Sequence, residues 1–105
     1  MTARRSVHID LPDPFPTGAR VLKFVEGRQI LVFNLGGGLV AVENSCPHAG
    51  SSLHAAKLEG GSLRCTVHGW RFDLVAPAAE GPDLVRYPIA LEPGGARLEL
   101  PEGAS

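Results

Sequence analysis

The sequence lacks a long hydrophobic run, an excess of basic residues and more than two cysteines. In 105 residues, no apolar stretch approaches the roughly 20 residues that a membrane-spanning helix needs. Ten Lys and Arg residues against eleven Asp and Glu give a formal net charge of −1, and no basic stripe is present to neutralise nucleic-acid phosphates. These absences predict a protein that neither crosses a membrane nor binds nucleic acid.

The beginning of the chain lacks an export signal. An arginine pair, Arg4-Arg5, is followed by Ser6-Val7-His8 and not by the continuous apolar segment of a Sec or Tat signal. We therefore expect the protein in the cytoplasm. A length of 105 residues predicts a single small domain. Its core is small, so a metal site would add to its stability.

Glycine and proline are abundant and separate short β-type runs. Together they make up 22 of 105 residues, about twice the average usage. The runs are rich in Val, Ile, Leu and Phe, and Gly36-Gly37-Gly38 supplies the clearest hairpin turn. The pattern predicts an all-β domain, with at most one helical turn at 54–58. The predicted strands are 19–25, 29–34, 39–43, 63–66, 70–75, 84–91 and 96–100.

Each of the two cysteines is close to a histidine. Cys46 precedes His48 by two residues, and Cys65 precedes His68 by three, with sixteen residues between the two pairs. Thiolate and imidazole ligands suit iron, zinc or copper better than hard cations, so the pairs predict a metal site. A Cys₂His₂ zinc site and a disulfide both remain open on spacing alone, although a disulfide is unusual in a cytosolic chain.

The two paired motifs resemble the ligand signature of Rieske proteins. Cys46-Pro47-His48-Ala49-Gly50 and Cys65-Thr66-Val67-His68-Gly69-Trp70, continued by Arg71-Phe72-Asp73-Leu74, are similar to bacterial Rieske ferredoxins and to the Rieske domains of ring-hydroxylating dioxygenases. The resemblance implies an antiparallel β-sandwich with a cluster-binding subdomain made of two loops, at about 46–74, on a base fold of 1–45 and 75–105. It also implies one [2Fe–2S] cluster per chain, with Cys46 and Cys65 on the inner iron and His48 and His68 on the outer iron.

Charge counting indicates what the histidine ligands do to the reduction potential. Two ferric ions, two sulfides and two thiolates cancel in charge, so neutral imidazoles leave the oxidised cluster neutral and easier to reduce than a four-cysteine cluster. Rieske proteins of bc-type complexes add a second cysteine pair, a serine after the His-Gly of the second loop and a membrane anchor. Here Trp70 follows Gly69, and only two cysteines exist. The missing serine predicts a low potential, below about 0 mV.

The resemblance predicts a function in electron transfer and not in catalysis. The expected protein is a one-electron carrier, as a monomer, from an NAD(P)H-dependent flavoprotein or ferredoxin reductase to the terminal oxygenase of an aromatic-ring-hydroxylating system. An oxygenase catalytic subunit would need a second domain with its own iron site. The alternatives are a Rieske-type small subunit of an assimilatory nitrite reductase and a zinc-stabilised binding module without redox activity.

A few single residues carry weaker predictions. We expect Trp70 to lie in the core and Gly81-Pro82 to belong to a loop that covers the cluster. His8 and His54 are expected to be exposed and not to be ligands. Five charged residues near the two motifs would orient a docking partner or simply form a solvated face: Glu43, Lys57, Glu59, Arg64 and Arg71.

Overall fold

The computed structural model describes residues 4–45, 52–54, 56–59, 61–64, 71–74 and 84–101. These residues form ten β-strands and no helix. The strands are β1 (Arg4–Asp10), β2 (Arg20–Val25), β3 (Arg28–Asn34), β4 (Leu39–Glu43), β5 (Lys57–Glu59), β6 (Ser62–Arg64), β7 (Arg71–Asp73), β8 (Arg86–Tyr87), β9 (Ile89–Glu92) and β10 (Gly95–Pro101). Across these ranges, no helix exists that is long and apolar enough to span a membrane.

The strands are arranged in three antiparallel sheets. Sheet A has the order β1-β10-β9, sheet B the order β2-β3-β4-β8 and sheet C the order β5-β6-β7. Sheets A and B come from the two ends of the chain, whereas sheet C comes from the stretch between β4 and β8. The prediction of an all-β fold with antiparallel sheets is therefore confirmed.

Sheet B lies between two hydrophobic cores, and the alternation of side chains along β3 explains how. Successive residues of a strand point to opposite faces, so β3 serves both cores. Ile30 and Val32 are fully buried in the core shared with sheet A, which includes Ile9, Ala96 and Leu98. Leu31 and Phe33 are fully buried in the opposite core, which they share with residues of sheet C. A continuous apolar run, Ile30 to Phe33, thus marks a strand buried on both faces.

The predicted strands differ from the observed ones mainly at three places, and the first is β1, a seven-residue strand that is absent from the predicted strands. The hairpin turn at Gly36 is confirmed, with β4 starting and ending where the sequence predicts. The predicted strand 84–91 is wrong as a single strand, because it divides at Pro88. Tyr87 pairs with Ala41 in sheet B, while Ile89 pairs with Leu98 in sheet A. Since proline has no N–H to donate, it is suited to the point where the chain leaves one sheet for the other.

The third difference is β5, which the sequence does not predict. We expected a helical turn at 54–58, but Lys57, Leu58 and Glu59 form a strand that pairs with β6. The turn signal at 59–62 is confirmed, because Glu59 lies opposite Ser62 at the end of the β5–β6 hairpin. A three-residue strand is too short for a periodic pattern to reveal it.

Glycine is required at the start of β10. An added Cβ at Gly95 would lie 2.0 Å from the carbonyl oxygen of Ile9 on β1, closer than any side chain can approach. The two strands pair along their whole length, from Arg4 opposite Pro101 to Asp10 opposite Gly95. A side chain at position 95 would therefore force β1 away from β10.

His8 is exposed, as predicted, but it takes part in an ion-pair group across sheet A. Its Nδ1 contacts the Oε2 atom of Glu92, and its Nε2 lies 3.5 Å from the Oδ1 atom of Asp10. Arg97 donates from Nε to the other Glu92 oxygen at 3.1 Å. The hydrogen bond with Glu92 raises the pKa of His8, and the same bond lowers the pKa of Glu92.

These shifts predict that the His8–Glu92 pair stabilises the fold only within a window of pH. The raised pKa of His8 gives a contribution that is complete below the ordinary value of about 6.5 and is lost as the pH rises through the raised value. The lowered pKa of Glu92 gives a contribution that is present above about 4.5 and is lost at lower pH. Replacing His8 with glutamine should therefore lower the melting temperature more at pH 5.5 than at pH 8.5.

The matched control for this experiment is His54→Gln. His54 is also exposed, and it forms no ion pair with any residue that the structure describes. Its replacement should change the melting temperature equally at the two pH values. An identical loss at both pH values for the His8 variant would show that the ion pair does not stabilise the fold.

Candidate metal centre

Asn44 joins the two ends of the segment that contains the first predicted ligand pair. Its backbone N–H donates to the carbonyl oxygen of Gln29 at 2.8 Å, which fixes Asn44 at the end of sheet B. Its side-chain oxygen accepts hydrogen bonds from the Leu53 N–H at 2.7 Å and from the Ser52 hydroxyl at 3.1 Å. Segment 46–51 therefore begins and ends at one amide group, as a closed loop would.

The segment that contains the second predicted pair is closed by a hairpin. β6 ends at Arg64 and β7 begins at Arg71, and these two residues lie directly opposite each other. Segment 65–70 therefore leaves sheet C and returns to it at the same place, with Cys65 as its first residue.

The ends of the two segments meet in one hydrophobic core. Leu53, which follows the first segment, is fully buried together with Leu63, which lies two residues before Cys65. Phe72 and Leu74, which follow the second segment, belong to the same core, as does Leu31 of β3. The packing of sheet C on sheet B thus brings the ends of both segments together.

A third segment, 75–83, has its ends held by one guanidinium group. Arg86 donates to the backbone carbonyl oxygens of Leu74 at 3.1 Å and of Leu84 at 3.3 Å, and it also contacts the carbonyl oxygen of Asp73. Leu74 and Leu84 are buried in the core that the other two segments share. Arg86 therefore binds the backbone at both ends of segment 75–83.

Several residues singled out by the sequence lie outside the described part of the chain. The four predicted ligands are among them, so the structure locates the ends of their segments and not the ligands themselves. The residues in question are Cys46, Pro47, His48, Gly50, Cys65, His68, Gly69, Trp70, Gly81 and Pro82.

Comparison with known proteins identifies the family. A family model for the Rieske [2Fe-2S] domain matches residues 7–91. The chain belongs to the Rieske [2Fe–2S] domain family. This Rieske domain is 30% identical over 86 residues to the ferredoxin component of the naphthalene 1,2-dioxygenase/salicylate 5-hydroxylase systems of Ralstonia sp., and the match covers 76% of this chain and 81% of that protein.

Another relative is much longer than this Rieske domain. The 3-chlorobenzoate-3,4-dioxygenase oxygenase subunit of Comamonas testosteroni is 32% identical over 104 residues, which are 81% of this chain but 24% of that protein. The chain thus spans about a quarter of the length of this relative.

The fold is also that of solved ferredoxin structures. The Sphingomonas yanoikuyae B1 ferredoxin aligns with a TM-score of 0.78 at 22% identity, covering 92% of this chain and all of that one. The ferredoxin of carbazole 1,9a-dioxygenase from Nocardioides aromaticivorans IC177 aligns with a TM-score of 0.75, also at 22% identity, covering 92% of this chain and 98% of that one. At this identity the likeness establishes the fold.

The residues of this Rieske domain fit the cluster that its family carries. Two thiols and two imidazoles are a suitable donor set for a [2Fe–2S] centre of the Rieske type. The described residues at the ends of both segments lie close to each other and share one core. Within the described ranges, no other group of three or more His, Cys, Asp or Glu residues could hold a metal ion.

Arg20 of β2 binds the backbone between the two ligand segments. Its Nη1 atom lies 2.6 Å from the carbonyl oxygen of Ala56, 3.0 Å from that of His54 and 3.4 Å from that of Leu53. The guanidinium also lies over the ring of Phe33, 5.1 Å from its centroid. Burial lowers the pKa of Arg20 from its ordinary high value, and the group stays charged. Arg20 thereby attaches the backbone of residues 53, 54 and 56 to sheet B.

Tyr87 fixes the end of β4, just before the first segment. Its buried hydroxyl donates to the Oε1 atom of Glu43 at 3.0 Å and accepts from the Nη1 atom of Arg28 at 3.2 Å. Burial, together with the bond to Glu43, raises the pKa of Tyr87. Glu43, which the sequence suggested as a docking charge, is therefore occupied within the protein.

Sequence reasoning missed Asn44, Arg20 and Arg86 as residues that hold the site. Each of them binds at least one backbone group that is nine or more residues away, so no local pattern connects those partners. Asn44 alone had a usable signal, since Asn directly after a strand and before a turn commonly binds nearby backbone with its side chain.

Proposed function

We propose that this Rieske domain is a one-electron carrier that passes electrons from an NAD(P)H-dependent reductase to the terminal oxygenase of an aromatic-ring-hydroxylating system. The observation that carries this proposal is the match to a ferredoxin component, which extends over 81% of that protein. The carrier is not itself the catalyst of ring hydroxylation. No observation favours the small subunit of a nitrite reductase.

The proposed cluster ligands are Cys46 and Cys65 on the inner iron and His48 and His68 on the outer iron. Their support is the donor set, together with the short separation of the two ends of each segment, which Asn44 and the β6–β7 pairing hold together. When bound, the cluster accepts and returns one electron, at a potential within roughly −150 to +300 mV. Four protein ligands leave no coordination position on iron for a substrate. This suits a cluster that transfers electrons and does not bind a substrate.

The proposed division of the chain follows the sheets. Residues of about 46–74 form a cluster-binding subdomain around sheet C, and 1–45 with 75–105 form the base fold around sheets A and B. The proposed carrier is a cytoplasmic monomer, with a flavoprotein or ferredoxin reductase as electron donor. Support for an oxygenase partner is the solved complex of reduced oxygenase and oxidised ferredoxin in carbazole 1,9a-dioxygenase, with which this chain aligns at a TM-score of 0.73 and 20% identity.

Spectroscopy of the purified protein tests the proposal. We expect a red-brown protein whose visible absorption is bleached by dithionite, with the EPR signal of one unpaired electron in the reduced state. Potentiometry should give a midpoint below about 0 mV at neutral pH, because the second loop has no serine to donate a hydrogen bond to the cluster. The decisive step is NAD(P)H-dependent reduction in the presence of a ring-hydroxylating-system reductase.

The contrary results are equally clear. A colourless protein that contains zinc would establish the structural zinc module. A coloured protein with a midpoint well above 0 mV would retain the electron-carrier function but refute the low potential. Co-purification with a large flavin or sirohaem polypeptide would favour the nitrite reductase alternative.

A further inference from the structure

The outer face of sheet C carries three cations in one row. Lys57 of β5 lies directly opposite Arg64 of β6, and Arg64 lies directly opposite Arg71 of β7. Residues directly opposite each other in a sheet point to the same face. The inward face is defined by Leu63 and Phe72, which are buried in the core. The three cations therefore point outward together, and this row is called the cationic row below.

The stability of the sheet does not explain the cationic row, because like charges directly opposite each other are destabilising. Glu59 compensates part of the charge, with its Oε1 atom 3.1 Å from Arg71 and 3.7 Å from Arg64. The 3.1 Å contact is an ion pair without hydrogen-bond geometry, and Arg71 remains 60% exposed. Lys57 is exposed and forms no ion pair with a residue in the described ranges.

The charges on this face are separated along the strands. Glu59, Ser62 and Asp73 form the next outward row, at the far end of the strands from segment 65–70. The cationic row lies at the near end, where Arg64 and Arg71 immediately precede and follow that segment. Positive charge is thus concentrated at the end of the sheet where Arg64 and Arg71 flank segment 65–70, although the whole chain has a net charge of −1.

We propose that Lys57, Arg64 and Arg71 form the docking surface for a protein electron acceptor that presents carboxylates. This proposal rests on the proposed function as an electron carrier. Exposed charges at the rim of a contact act mainly on the rate of association, because they attract an oppositely charged partner before contact. Because Arg64 and Arg71 flank the segment that contains Cys65 and His68, the cationic row would attract an acidic acceptor to the part of the chain that carries these proposed ligands.

The test compares electron transfer to two acceptor proteins of opposite charge. The reduced holoprotein is mixed by stopped flow with an acidic plastocyanin or with basic cytochrome c, each of which accepts one electron. For Lys57→Gln and Arg71→Gln, we expect the second-order rate with plastocyanin to fall by about threefold or more at 0.01 M ionic strength. The rate with cytochrome c should stay the same or rise. Both differences should disappear near 1 M, where the screening length is only about 3 Å.

Arg97→Gln is the matched control. Arg97 is 62% exposed and its Nε lies 3.1 Å from a carboxylate oxygen of Glu92, much as Arg71 contacts Glu59, but it belongs to sheet A. Its replacement should leave both rates unchanged. The pair of acceptors also separates docking from driving force, because a shift in potential would change both rates in the same direction.

Two results would overturn the proposal. Either the Lys57 and Arg71 variants behave like Arg97→Gln, or they slow both acceptors equally at all ionic strengths. A wild-type protein that shows no cluster absorption, or that reduces neither acceptor, would overturn the electron-carrier function and the docking surface together.

Discussion

Replacing Cys65 with alanine is expected to leave the protein without an iron–sulfur cluster. The side chain would supply one of two thiolates, and alanine has no donor atom to take its place. The thiolate charge is also lost, which leaves the cluster positive in a site built for a neutral one. The purified variant should be colourless, with iron and acid-labile sulfide reduced to background. Alanine at His68 should have the same effect, since the outer iron would lose one of its two protein ligands.

His54→Ala is the control for the ligand variants. This histidine lies between the two ligand pairs and is exposed, and it matches no ligand position of the resemblance. The variant should keep the full iron content and the absorption of the wild type. The opposite pattern, with colour retained in Cys65→Ala and lost in His54→Ala, would refute the ligand assignment.

Loss of the cluster need not mean loss of the whole fold. The core between sheets A and B is formed by residues such as Ile30, Val32, Ala96 and Leu98, none of which belongs to sheet C or a ligand segment. The Cys65→Ala protein should therefore keep β-sheet circular dichroism and a cooperative urea transition. This measurement distinguishes a folded protein without a ligand from a chain that has failed to fold.

The sequence predicts the central sheet well because its strands are long enough to show a pattern. β2, β3 and β4 contain five to seven residues each, and the glycines after β3 mark the turn. The apolar run of β3 also predicts burial, although the sequence alone cannot show that two separate cores receive its two faces. That arrangement depends on β10 and sheet C, which are remote from β3 along the chain.

The sequence predicts the ligands of the candidate site but not the residues that hold the surrounding backbone in place. Cysteine and histidine are rare in this chain, with two and four residues, so their pairing stands out from the background. Arginine and asparagine have many ordinary uses on a surface. Nothing local distinguishes Arg20, whose acceptors lie 33 to 36 residues away, from an arginine that only contacts solvent. The cationic row could not be predicted from the sequence either. β5 is too short to be recognised, and only the pairing register of β5 with β6 places Lys57 opposite Arg64.

Replacing Arg20 with methionine should destabilise the protein and loosen the backbone between the ligand segments. Nη1 has two N–H groups, so the contacts at 2.6 Å and 3.0 Å account for its two good hydrogen bonds, and the 3.4 Å contact is marginal. Hydrogen bonds to a charged group contribute about 1.5–3 kcal/mol each, and water can reach part of this site, so we expect a net loss of about 2–3 kcal/mol in the free energy of unfolding. Urea unfolding measures this loss.

A purely structural arginine would change only stability, so the release of iron to a chelator is the second measurement. Residues 52–54 follow the first ligand segment directly, and without Arg20 the carbonyl oxygens of Leu53, His54 and Ala56 lose their donor on sheet B, so that only the bonds to Asn44 and packing hold this backbone. We expect faster iron release from Arg20→Met under conditions where both proteins are fully folded. Arg20→Lys should lie between the two, because an ammonium keeps the charge and can donate to the carbonyl oxygens but cannot stack on Phe33 as a planar guanidinium does.

Arg5→Met provides the matched control for Arg20→Met. Like Arg20, Arg5 lies on a strand at the edge of a sheet, and it forms an ion pair with Glu26. Its side chain is 54% exposed, however, and its partner is a surface carboxylate. An exposed ion pair contributes about 0–1 kcal/mol, so this variant should be nearly as stable as the wild type and release iron at the same rate. If Arg20→Met released iron no faster than Arg5→Met, the guanidinium would stabilise sheet B without holding the ligand segments, and the coupling between β2 and the cluster site would be refuted.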